Sequence, residues 1–515
     1  MINIILLFVI LFPSKYLLMI FQQNRYELFR YFKWFSIDDY IKRHRFDIIL
    51  VFISILSLVF SIDIIVVYIL SVIKILYDGY IEYRSNYIKP LVYTNRVKRQ
   101  IFTIILLDLI FVYLLFYLID HYYYISFIIL LFISEFIIVI MALINYPIEL
   151  YFKSLFINKA KYKIRSLDNL INIGITGSYG KTTTKNIIYE ILSSKYHTLK
   201  TPASYNTPLG ISKTILELLS PLHQVFICEM GSDHLGEIDY LTKFIGPKIS
   251  VVVTIGPQHL NTFFSIDNII KEKMTMIENL PKGGLGIINI DNDYIYNYSI
   301  NNKDIDIITV GIDRSADLRA INIQYNTKGS EFDVKYSDNI YHFKTKLLGK
   351  YNIINILVSI AIGLYLKVDI NNIIRSISEC PYIKNRLELK EINGFTFIDN
   401  SFNSNYEGFK MSIDILCNFS NTRFIITPGL IDLGFKQKEY NYQLGQYMVG
   451  KVDICILIGD KQISDMYQGL IDNGFNKDNI IIFDHVLKAF DYIYRVAKID
   501  DIILLENDLP DAFNR

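Results

Sequence analysis

The sequence predicts two open α/β domains that follow a helical membrane region, and three observations lead to this prediction. Short apolar segments alternate with helical patterns after residue 170, as in sheets whose strands are joined by crossover helices. A glycine-rich turn at 174–180 connects the first of these strands to the first helix. Long apolar runs dominate the sequence before residue 150. A length of 515 residues is enough for more than two domains.

Four long apolar runs lie before residue 150, namely Ile4–Phe21, Ile48–Tyr77, Ile101–Ile119 and Tyr124–Ile144. A helix needs roughly 20 apolar residues to cross a bilayer, and the third and fourth runs fit this length. The second run is long for one crossing and short for two. The first lacks a basic start and a small-residue cleavage site, so we interpret it as a retained anchor. We therefore predict a transmembrane helical domain over residues 1–150.

Basic residues indicate how this domain is oriented. The segments 22–46, 81–100 and 146–165 are each rich in lysine and arginine, and the positive-inside rule places all three in the cytoplasm. The sequence thus predicts a multi-pass membrane protein whose remaining domains are cytoplasmic. Asp108 and Glu135 lie inside apolar runs, where a carboxylate indicates either function or a structural role facing the helical bundle.

Overall composition restricts the function only weakly. Lys and Arg number 52 against 51 Asp and Glu, a net charge of +1, which gives no reason to expect a nucleic-acid partner. The four cysteines are far apart in sequence, so neither a zinc site nor a disulfide framework is indicated. This cysteine pattern suits a reducing compartment.

The glycine-rich turn has the layout of a phosphate-binding loop. An apolar strand, Leu170–Ile175, precedes it and a helical pattern, Lys185–Leu192, follows it. Glycines let backbone N–H groups close around phosphate oxygens, and a helix N-terminus attracts the anion. We expect Lys181 to reach the β- and γ-phosphates of ATP and the Thr182 hydroxyl to bind Mg²⁺. The predicted nucleotide contacts are Gly177, Ser178, Tyr179, Gly180, Lys181, Thr182 and Thr183.

The glycine spacing, G-x-x-G-x-x-G-K-T, departs from the standard G-x-x-x-x-G-K-[ST], because Ile175 stands five positions before Gly180. A glycine-rich turn that binds no nucleotide is therefore the alternative. A second feature favours a nucleotide site, because the predicted strand His223–Met230 carries Glu229 near its end. A carboxylate there is well placed to hold Mg²⁺ beside a phosphate loop. Taken alone, Glu229 could equally be a surface residue at a strand end.

Further elements are predicted along the rest of the chain, with a domain boundary near Ile377–Lys384. A helix is predicted at Ile269–Leu280. The remaining predicted strands are Ile249–Ile255, Gly286–Ile290, Ile305–Val310, Phe395–Asp399, Arg423–Thr427, Asp453–Ile458, Ile480–Phe483 and Ile502–Leu505.

The segment Thr176–Lys185, TGSYGKTTTK, resembles the nucleotide loop of the Mur ligase family. These proteins are ATP-dependent amide ligases of bacterial peptidoglycan synthesis, and similar motifs recur through the rest of the chain. Gly236-Glu237-Ile238 resembles the members that add D-alanyl-D-alanine. The resemblance implies a P-loop central domain over residues 166–380 and a Rossmann-like C-terminal domain over residues 381–515. It also implies ATP and Mg²⁺ as cofactors.

A set of metal ligands is implied by the same resemblance. The family carries a Mg²⁺-binding histidine after the next strand, so His259 joins Thr182 and Glu229 in this role. Many Mur ligases carry a carbamylated lysine, which turns a cation into a metal-binding anion, and alignment places Lys273 at that position. Lys271 is the competing candidate, and an ordinary solvated lysine is the alternative reading.

Nucleotide contacts implied by the resemblance lie in both α/β domains. Asn289 resembles an asparagine on the adenine side. Gly349–Asn355 resembles the motif G-x-H-N-x-x-N, with Tyr351 in place of the histidine. That motif implies contacts from Asn352 and Asn355, although a polar helix start would explain the pair as well.

The segment that follows the domain boundary resembles a family arginine and then a D-D-S-Y-N-A-N-P turn, here Asp399–Tyr406. Arg386 is implied to clamp the γ-phosphate, because a planar guanidinium suits phosphoryl oxygens. Asp399 is implied to orient the nucleotide or assist domain closure. Asn403 and Asn405 are implied substrate contacts. Asn206 is a third, because the segment Thr201–Gly210 resembles the substrate-side loop of the family, although a polar turn would also explain this segment.

Several positions depart from the family pattern. Asn400 and Tyr406 replace the second Asp and the Pro of the turn. Leu505–Asp511 stands where other members have Lys-Gly-Ser, and Thr427–Gly434 stands where they contact the incoming amino acid or dipeptide. A predicted membrane domain takes the place of a first domain that binds UDP. The amine and the acceptor are therefore left open.

Together these features predict a membrane-anchored ATP-dependent amide ligase of cell-wall precursor synthesis. We expect catalysis by Lys181, Arg386, Lys273 and His259, with D-alanyl-D-alanine or a related amine joined to a UDP-muramoyl-peptide-type carboxylate through an acyl phosphate. The predicted partners are a nucleotide-linked or lipid-linked precursor, an amino acid or dipeptide, and the bacterial cell membrane, with no nucleic acid. One alternative is a Mur-type ligase with a lipid-linked or capsule-type acceptor. Another is a P-loop membrane ATPase for transport or sensing, although transport requires neither asparagine-containing motif.

Overall fold

The structure is a computed structural model that describes residues 14–34, 89–118 and 123–507, without 403, 432 and 460–462, and isolated helical residues between 48 and 84. The chain forms two compact units, one within residues 1–154 and one over residues 155–508. The predicted apolar runs Ile4–Phe21 and Ile48–Tyr77 lie largely outside the described residues, as do Asn403 and the side chain of Glu135.

The described residues of the first unit are mainly helical. They include residues 14–23, α1 (Leu28–Trp34), α2 (Asn95–Leu118) and most of α3 (Tyr123–Arg165). Residues 101–118 and 124–144 of the predicted apolar runs fall in α2 and α3, so the helical conformation of these residues is confirmed.

Polar contacts join α2 to α3. Arg99 donates to both carboxylate oxygens of Glu149 at 2.8 Å, and Asn145 Nδ2 donates to Thr103 Oγ1 at 2.9 Å. Within the described residues, the stretch Phe136–Arg165 is long and apolar enough to cross a membrane. A buried helix of a soluble protein meets the same criteria, so the membrane domain stays a prediction.

The second unit begins with a nine-stranded sheet in the order β2-β3-β1-β4-β5-β6-β7-β8-β9. Its strands are β1 (Ile171–Thr176), β2 (Thr198–Lys200), β3 (Val225–Glu229), β4 (Ile249–Val252), β5 (Leu285–Asn289), β6 (Asp306–Gly311), β7 (Leu318–Asn326), β8 (Gly329–Tyr336) and β9 (Asn339–Thr345). Neighbouring strands are parallel from β2 through β7. The last two pairs are antiparallel, because short turns rather than helices connect them.

Helices cover this sheet, which is why its parallel strands are rich in isoleucine and valine. The helices are α4 (Lys181–Ser193), α5 (Pro208–Glu217), α6 (Glu237–Ile245), α7 (Leu260–Phe263), α8 (Ile266–Glu278), α9 (Asp293–Tyr296), α10 (Lys350–Tyr365) and α11 (Ile370–Glu379). Ile187 and Ile191 of α4 share one buried cluster with Val251 of β4 and Ile353 of α10. This packing fixes α4, and with it the glycine-rich loop, against the carboxyl ends of the strands.

A second sheet of six strands follows, in the order β10-β11-β15-β12-β13-β14. Its elements are β10 (Glu388–Ile392), β11 (Phe395–Asn400), α12 (Tyr406–Leu416), β12 (Arg423–Thr427), α13 (Gln437–Met448), β13 (Ile454–Ile458), α14 (Ser464–Asp472), β14 (Ile480–Phe483), α15 (Val486–Val496) and β15 (Ile502–Glu506). Only β10 is antiparallel to its neighbour. The α/β class with two open, largely parallel sheets is therefore confirmed.

Most predicted strands occur with their ends shifted by at most a few residues. The sequence did not indicate the hairpins β7–β9 or the edge strands β2 and β10. Helix α8 starts at Ile266, earlier than predicted, because the Ser265 hydroxyl accepts a hydrogen bond from the N–H of Asn268 and caps the first turn.

Candidate active site

Two glycines of the phosphate-binding loop are required by close contacts. Gly180 has a φ of 85°, and a Cβ there would lie 2.7 Å from Asn355 Oδ1. Gly177 has a φ of 150°, and a Cβ there would lie 2.9 Å from the carbonyl oxygen of Thr254. Gly174, in contrast, is a residue of strand β1. The loop therefore uses only the last two glycines, which accounts for the unusual spacing.

Ser178 fixes the loop against the end of β4. Its N–H donates to the carbonyl of Thr254 at 2.7 Å. Its hydroxyl donates to the carbonyl of Gly256 at 2.9 Å and accepts from the N–H of the same residue at 3.0 Å. Helix α4 then begins at Lys181, so the loop leads directly into a helix N-terminus suited to an anion.

Glu229, at the carboxyl end of β3, is the centre of a polar network beside the loop. It accepts hydrogen bonds from Thr182 Oγ1 at 3.0 Å, Lys185 Nζ at 2.9 Å and Asn206 Nδ2 at 3.0 Å. Burial acts to raise the pKa of Glu229, but the charges of Lys185 and Lys181 and these hydrogen bonds hold it below its ordinary value. The predicted metal ligand Thr182 and the predicted substrate contact Asn206 therefore both contact the carboxylate of Glu229, the other predicted metal ligand.

Sequence reasoning missed Lys185, which is buried and also donates to the carbonyl oxygen of Ala203. It follows Lys181 by four residues, so the two lie on the same side of α4. That spacing after a phosphate-binding lysine was the available signal. Lys185 supplies the positive charge that Glu229 needs in a buried position.

The predicted phosphate-binding lysine folds back over its own loop. Lys181 Nζ donates to the carbonyl oxygens of Gly177 at 2.5 Å and Ser178 at 3.2 Å. The pKa of Lys181 is lowered to about 8, chiefly by burial, while the charge of Glu229 opposes the shift and that of Arg386 adds to it. The ammonium group therefore lies where an anion would relieve its electrostatic cost.

Thr182 and Glu229 offer two oxygen ligands 3.0 Å apart, which is the donor chemistry that Mg²⁺ prefers. The residues present thus fit the implied metal. His259 is the N-cap residue of helix α7 and has a φ of 51°. It does not line the cavity beside the phosphate loop, although the adjacent Gln258 does. His259 as a metal ligand stays a prediction.

Lys273, rather than Lys271, is turned into the protein. Lys273 is 2 % exposed and its Nζ donates to Ser232 Oγ at 2.6 Å, whereas Lys271 is exposed. Burial, and then the charge of Lys181, lowers the pKa of Lys273 to about 7. The neighbouring Glu272, also missed from sequence, accepts from the N–H groups of residues 236 and 238 at 2.7 Å. It anchors the G-E-I turn to α8.

A further polar cluster follows β3 and was not noticed in the sequence. Side-chain atoms of Asp233, His234 and Glu237 lie within 4.8 Å of one another. Glu237 also accepts hydrogen bonds from the N–H groups of the other two at 2.8 and 3.1 Å. The cluster thus closes the turn that leads into α6.

Two asparagines of α10 lie beside the phosphate loop and the first turn of α4. Thr184 Oγ1 donates to Asn355 Oδ1 at 3.1 Å, and Asn355 Nδ2 donates to Asn352 Oδ1 at 3.2 Å. The rings of Tyr179 and Tyr351 meet edge to face, with centroids 5.6 Å apart. Tyr351, which replaces the family histidine, therefore packs against the loop itself.

Arg386 and Asp399 have different positions relative to the cavity. Arg386 lines it, and its Cζ lies 4.6 Å from the centroid of the Phe402 ring. Burial lowers the pKa of Arg386 to about 10. Asp399 instead pairs with Lys390 at 2.5 Å and accepts from Ser401. Asn289 is buried at the end of β5, where its Oδ1 accepts from the N–H of residue 291. Neither Asp399 nor Asn289 lines the cavity.

A first cavity of about 120 Å³ is lined by residues of both α/β domains. A second cavity of about 420 Å³ continues from it past Thr182, Ser204, Arg386 and Phe402. Predicted residues that line the first cavity are Ser178, Tyr179, Gly180, Lys181, Thr182, Thr183, Asn206, Glu229, Asn352, Asn355, Arg386 and Asn405. Residues from both α/β domains therefore face a common space.

Comparison with known proteins agrees with this geometry. Residues 175–363 match the model of the Mur ligase middle domain. The UDP-N-acetylmuramoyl-tripeptide–D-alanyl-D-alanine ligase of Buchnera aphidicola subsp. Baizongia pistaciae is 28% identical over 327 residues, covering 61% of this chain and 71% of the relative. The Bacillus subtilis ligase of the same name is 26% identical over 339 residues, covering 65% and 72%.

A solved structure, MurF ligase from Thermotoga maritima in complex with ADP, shares the fold with a TM-score of 0.62 and 22% identity, covering 69% of this chain and 80% of that one. The phosphate loop, the acidic strand end and the two α/β domains define an ATP-dependent amide ligase that uses Mg²⁺. Residues 175–363 thus match a Mur ligase middle domain, and the two relatives above extend the similarity to 61–65% of the chain. The predicted enzyme class is thereby confirmed, and the predicted family resemblance is supported over the middle domain.

Proposed function

We propose that this protein joins D-alanyl-D-alanine, or a related amine, to the carboxylate of a UDP-muramoyl-peptide-type precursor at the expense of ATP. The network of Thr182, Asn206 and Glu229 beside the phosphate loop carries the proposal, because it unites a phosphate site, a metal site and a substrate contact. The relatives named above are ligases of this kind. This support favours a ligase over a membrane ATPase that transports or senses.

The chain's own residues supply binding and charge for two steps. In the first, a carboxylate oxygen of the acceptor attacks the γ-phosphorus of ATP, the bond to the β-phosphate oxygen breaks, and ADP leaves. Lys181 and Arg386 stabilise the phosphoryl oxygens during this transfer. When bound by Thr182 and Glu229, Mg²⁺ neutralises phosphate charge and orients the transferring group.

In the second step, the neutral amine attacks the acyl carbon, the bond to the phosphate oxygen breaks, and inorganic phosphate leaves. The amine's extra proton goes to solvent or to a released phosphate oxygen. Positioning the two substrates against each other supplies much of the rate. The first cavity, about 120 Å³, continues into the second, about 420 Å³, and together they fall within the roughly 300–1,000 Å³ of typical ligand sites.

We also propose that residues 1–150 form a multi-pass domain in the bacterial cell membrane, with the domains at 166–380 and 381–515 in the cytoplasm. The two predicted apolar runs in α2 and α3 support it. So do large apolar side chains that are exposed on these helices, including Phe102, Leu109, Phe136 and Leu143. Cell fractionation, with a reporter that functions only in the cytoplasm fused to the C-terminus, tests both parts.

Purified full-length protein with ATP, Mg²⁺ and a matrix of UDP-muramoyl peptides and amines tests the ligase proposal. Mass spectrometry should detect one amide product, with ADP and phosphate formed in equal amounts. Absence of any amide while ATP is hydrolysed would refute it. A product formed only from a lipid-linked or capsule-type acceptor would refute the UDP-linked acceptor and retain the Mur-type reaction.

A further inference from the structure

Glu506, the last residue of β15, is a fully buried carboxylate behind the wall of the first cavity. It is 0 % exposed. Asn400 Nδ2 donates to both of its oxygens at 3.1 and 2.9 Å, and Ser404 Oγ donates to Oε1. Asn400 and Glu506 are register partners on adjacent parallel strands. The contact between Asn400 and Glu506 therefore follows from the pairing of β11 with β15.

The next residue extends this connection to a second loop. Asn507 N–H donates to the carbonyl of Asn400 at 3.2 Å, and its Oδ1 accepts from the N–H of Ser404 at 3.3 Å. Its Nδ2 donates to the carbonyl of Gly429 at 2.6 Å. Gly429 follows β12. Residues 506 and 507 thus tie the turn after β11 to the loop after β12.

The turn after β11 faces the reacting groups. Asn400 and Ser404 line the same cavity as Lys181 and Arg386. Glu506 itself does not line it. Any influence of Glu506 on the reaction must therefore act through Asn400, Ser404 and the electrostatic field.

Burial and hydrogen bonding have opposite effects on the pKa of Glu506. Burial raises the pKa of Glu506 to about 7, while hydrogen bonds from Ser404, Ser412 and Asn400 and the charge of Arg386 oppose the rise. Arg386 lies in the connection before β10. Among the described residues, it is the charged group that lowers the pKa of Glu506. Asp399 on β11 is paired with Lys390 of β10. A carboxylate with these surroundings gains its charge near neutral pH.

We propose that Glu506 is a positioning residue of the ligase reaction, holding Asn400 and Ser404 in the cavity wall and coupling that wall, through Asn507, to the loop after β12. This inference rests on the proposed function. The ionised carboxylate accepts all of these hydrogen bonds. Protonation turns one oxygen into a donor, so one contact is lost and the wall rearranges. Activity should therefore follow the ionisation of Glu506.

The first test compares Glu506→Gln with Glu391→Gln, a control at an exposed carboxylate of β10. For wild type, kcat for amide formation should rise as pH passes through about 7. Both proteins are measured in saturating bicarbonate, so that carbamylation of Lys273 is held constant. Under this condition Glu506→Gln should show a smaller rise and lower kcat by about 10²-fold, with a smaller change in the KM for ATP. A pH profile that Glu506→Gln shares with wild type would overturn the proposal.

A charge swap tests the contact without relying on loss of function. Asn400→Asp alone places two carboxylates side by side, and Glu506→Lys alone places two cations, the new lysine and Arg386, near each other. The double variant places opposite charges at the register pair. It should fold, recover kcat at least tenfold over either single variant, and lack the rise near pH 7. A double variant no better than the singles would contradict the positioning role.

Binding of a non-hydrolysable ATP analogue separates this inference from the proposed function. Titration calorimetry across the same pH range needs no amide product. Wild-type affinity should increase as Glu506 ionises, and Glu506→Gln should remove that dependence. If no amide forms with any amine yet this difference is seen, the ligase proposal fails and the role of Glu506 in holding the cavity survives. Equal dependence in both proteins would refute that role.

Discussion

Lys185 Nζ lies 2.9 Å from Glu229 Oε2, and both side chains are only 1 % exposed. The pair connects the first turns of α4 to the carboxyl end of β3, directly under the phosphate-binding loop. A charge buried at this depth is stable only with a partner. The same carboxylate is the proposed ligand of Mg²⁺, so Lys185 occupies the position of a counter-cation to a group that also serves the reaction.

Replacing Lys185 by Met should lower the free energy of unfolding by about 3–5 kcal/mol, because it leaves Glu229 buried without its cation. Chemical denaturation measures this. Lys243→Met is the control, since it breaks an exposed pair with Asp239 and should cost less than about 1 kcal/mol. Mg²⁺ should stabilise Lys185→Met more than it stabilises wild type. Equal losses in the two variants would show that the buried pair has no special role.

Lys181→Ala should lower ATP turnover by on the order of 10²-fold or more, because the point charge on the β- and γ-phosphates is lost. The protein should stay folded, since Lys181 Nζ donates to carbonyl oxygens of its own loop, those of Gly177 and Ser178. Phosphate release and circular dichroism measure the two effects. Lys213→Ala, on an exposed face of α5, is the control. Near-wild-type turnover in Lys181→Ala would refute the loop assignment.

Lys273 should form a carbamate with dissolved CO₂. Burial lowers its pKa to about 7, so the neutral, reactive amine predominates as pH rises above that value. At fixed dissolved CO₂, activation should therefore increase with pH through about 7. Lys273→Ala should be inactive and partly rescued by formate or acetate, which supply the missing anion, while Lys271→Ala should be active. Full activity of Lys273→Ala would exclude this role.

ATP hydrolysis should depend on both substrates. In the proposed reaction the acyl phosphate forms only on the acceptor and is released only by the amine. Phosphate release should therefore be slow with either substrate alone and fast with both. Rapid hydrolysis without substrates, increased by lipid or by an ion gradient, would favour a membrane ATPase instead.

The site of truncation should decide whether the catalytic part folds alone. Ile157, Ala160 and Ile164 of α3 pack in one buried cluster with Leu170 and Phe226. A fragment over residues 155–515 should therefore be more stable than one over residues 166–515, which loses this packing. Thermal unfolding of both fragments compares them. The basic segments 22–46 and 81–100, which both fragments lack, could hold an anionic acceptor. In that case the longer fragment should bind ATP normally but show a raised KM for the acceptor. An unchanged KM would leave the first unit as an anchor alone.

Local sequence features determined much of the fold. Apolar strands such as Arg423–Thr427 and Ile480–Phe483 are bounded by turn residues and have the observed ends. The loop and its lysine were recognisable because Gly177, Gly180 and Lys181 are adjacent in the chain and their chemistry depends on that adjacency. The family resemblance extended this reading to Arg386 and the α10 asparagines, whose motifs are also short and continuous.

Tertiary structure alone decided which of these groups meet. Lys185 joins Glu229 only because β3 lies beside β1 in the sheet, and Glu506 joins Asn400 only because β15 inserts between β11 and β12. The choice between Lys271 and Lys273 depended on which face of α8 is buried. The hairpins β7–β9 also escaped prediction, since their half-exposed strands lack a continuous apolar run. The sequence by itself determined the local conformations and the chemical class, whereas strand order determined the contacts, because those contacts join residues that are distant in the chain.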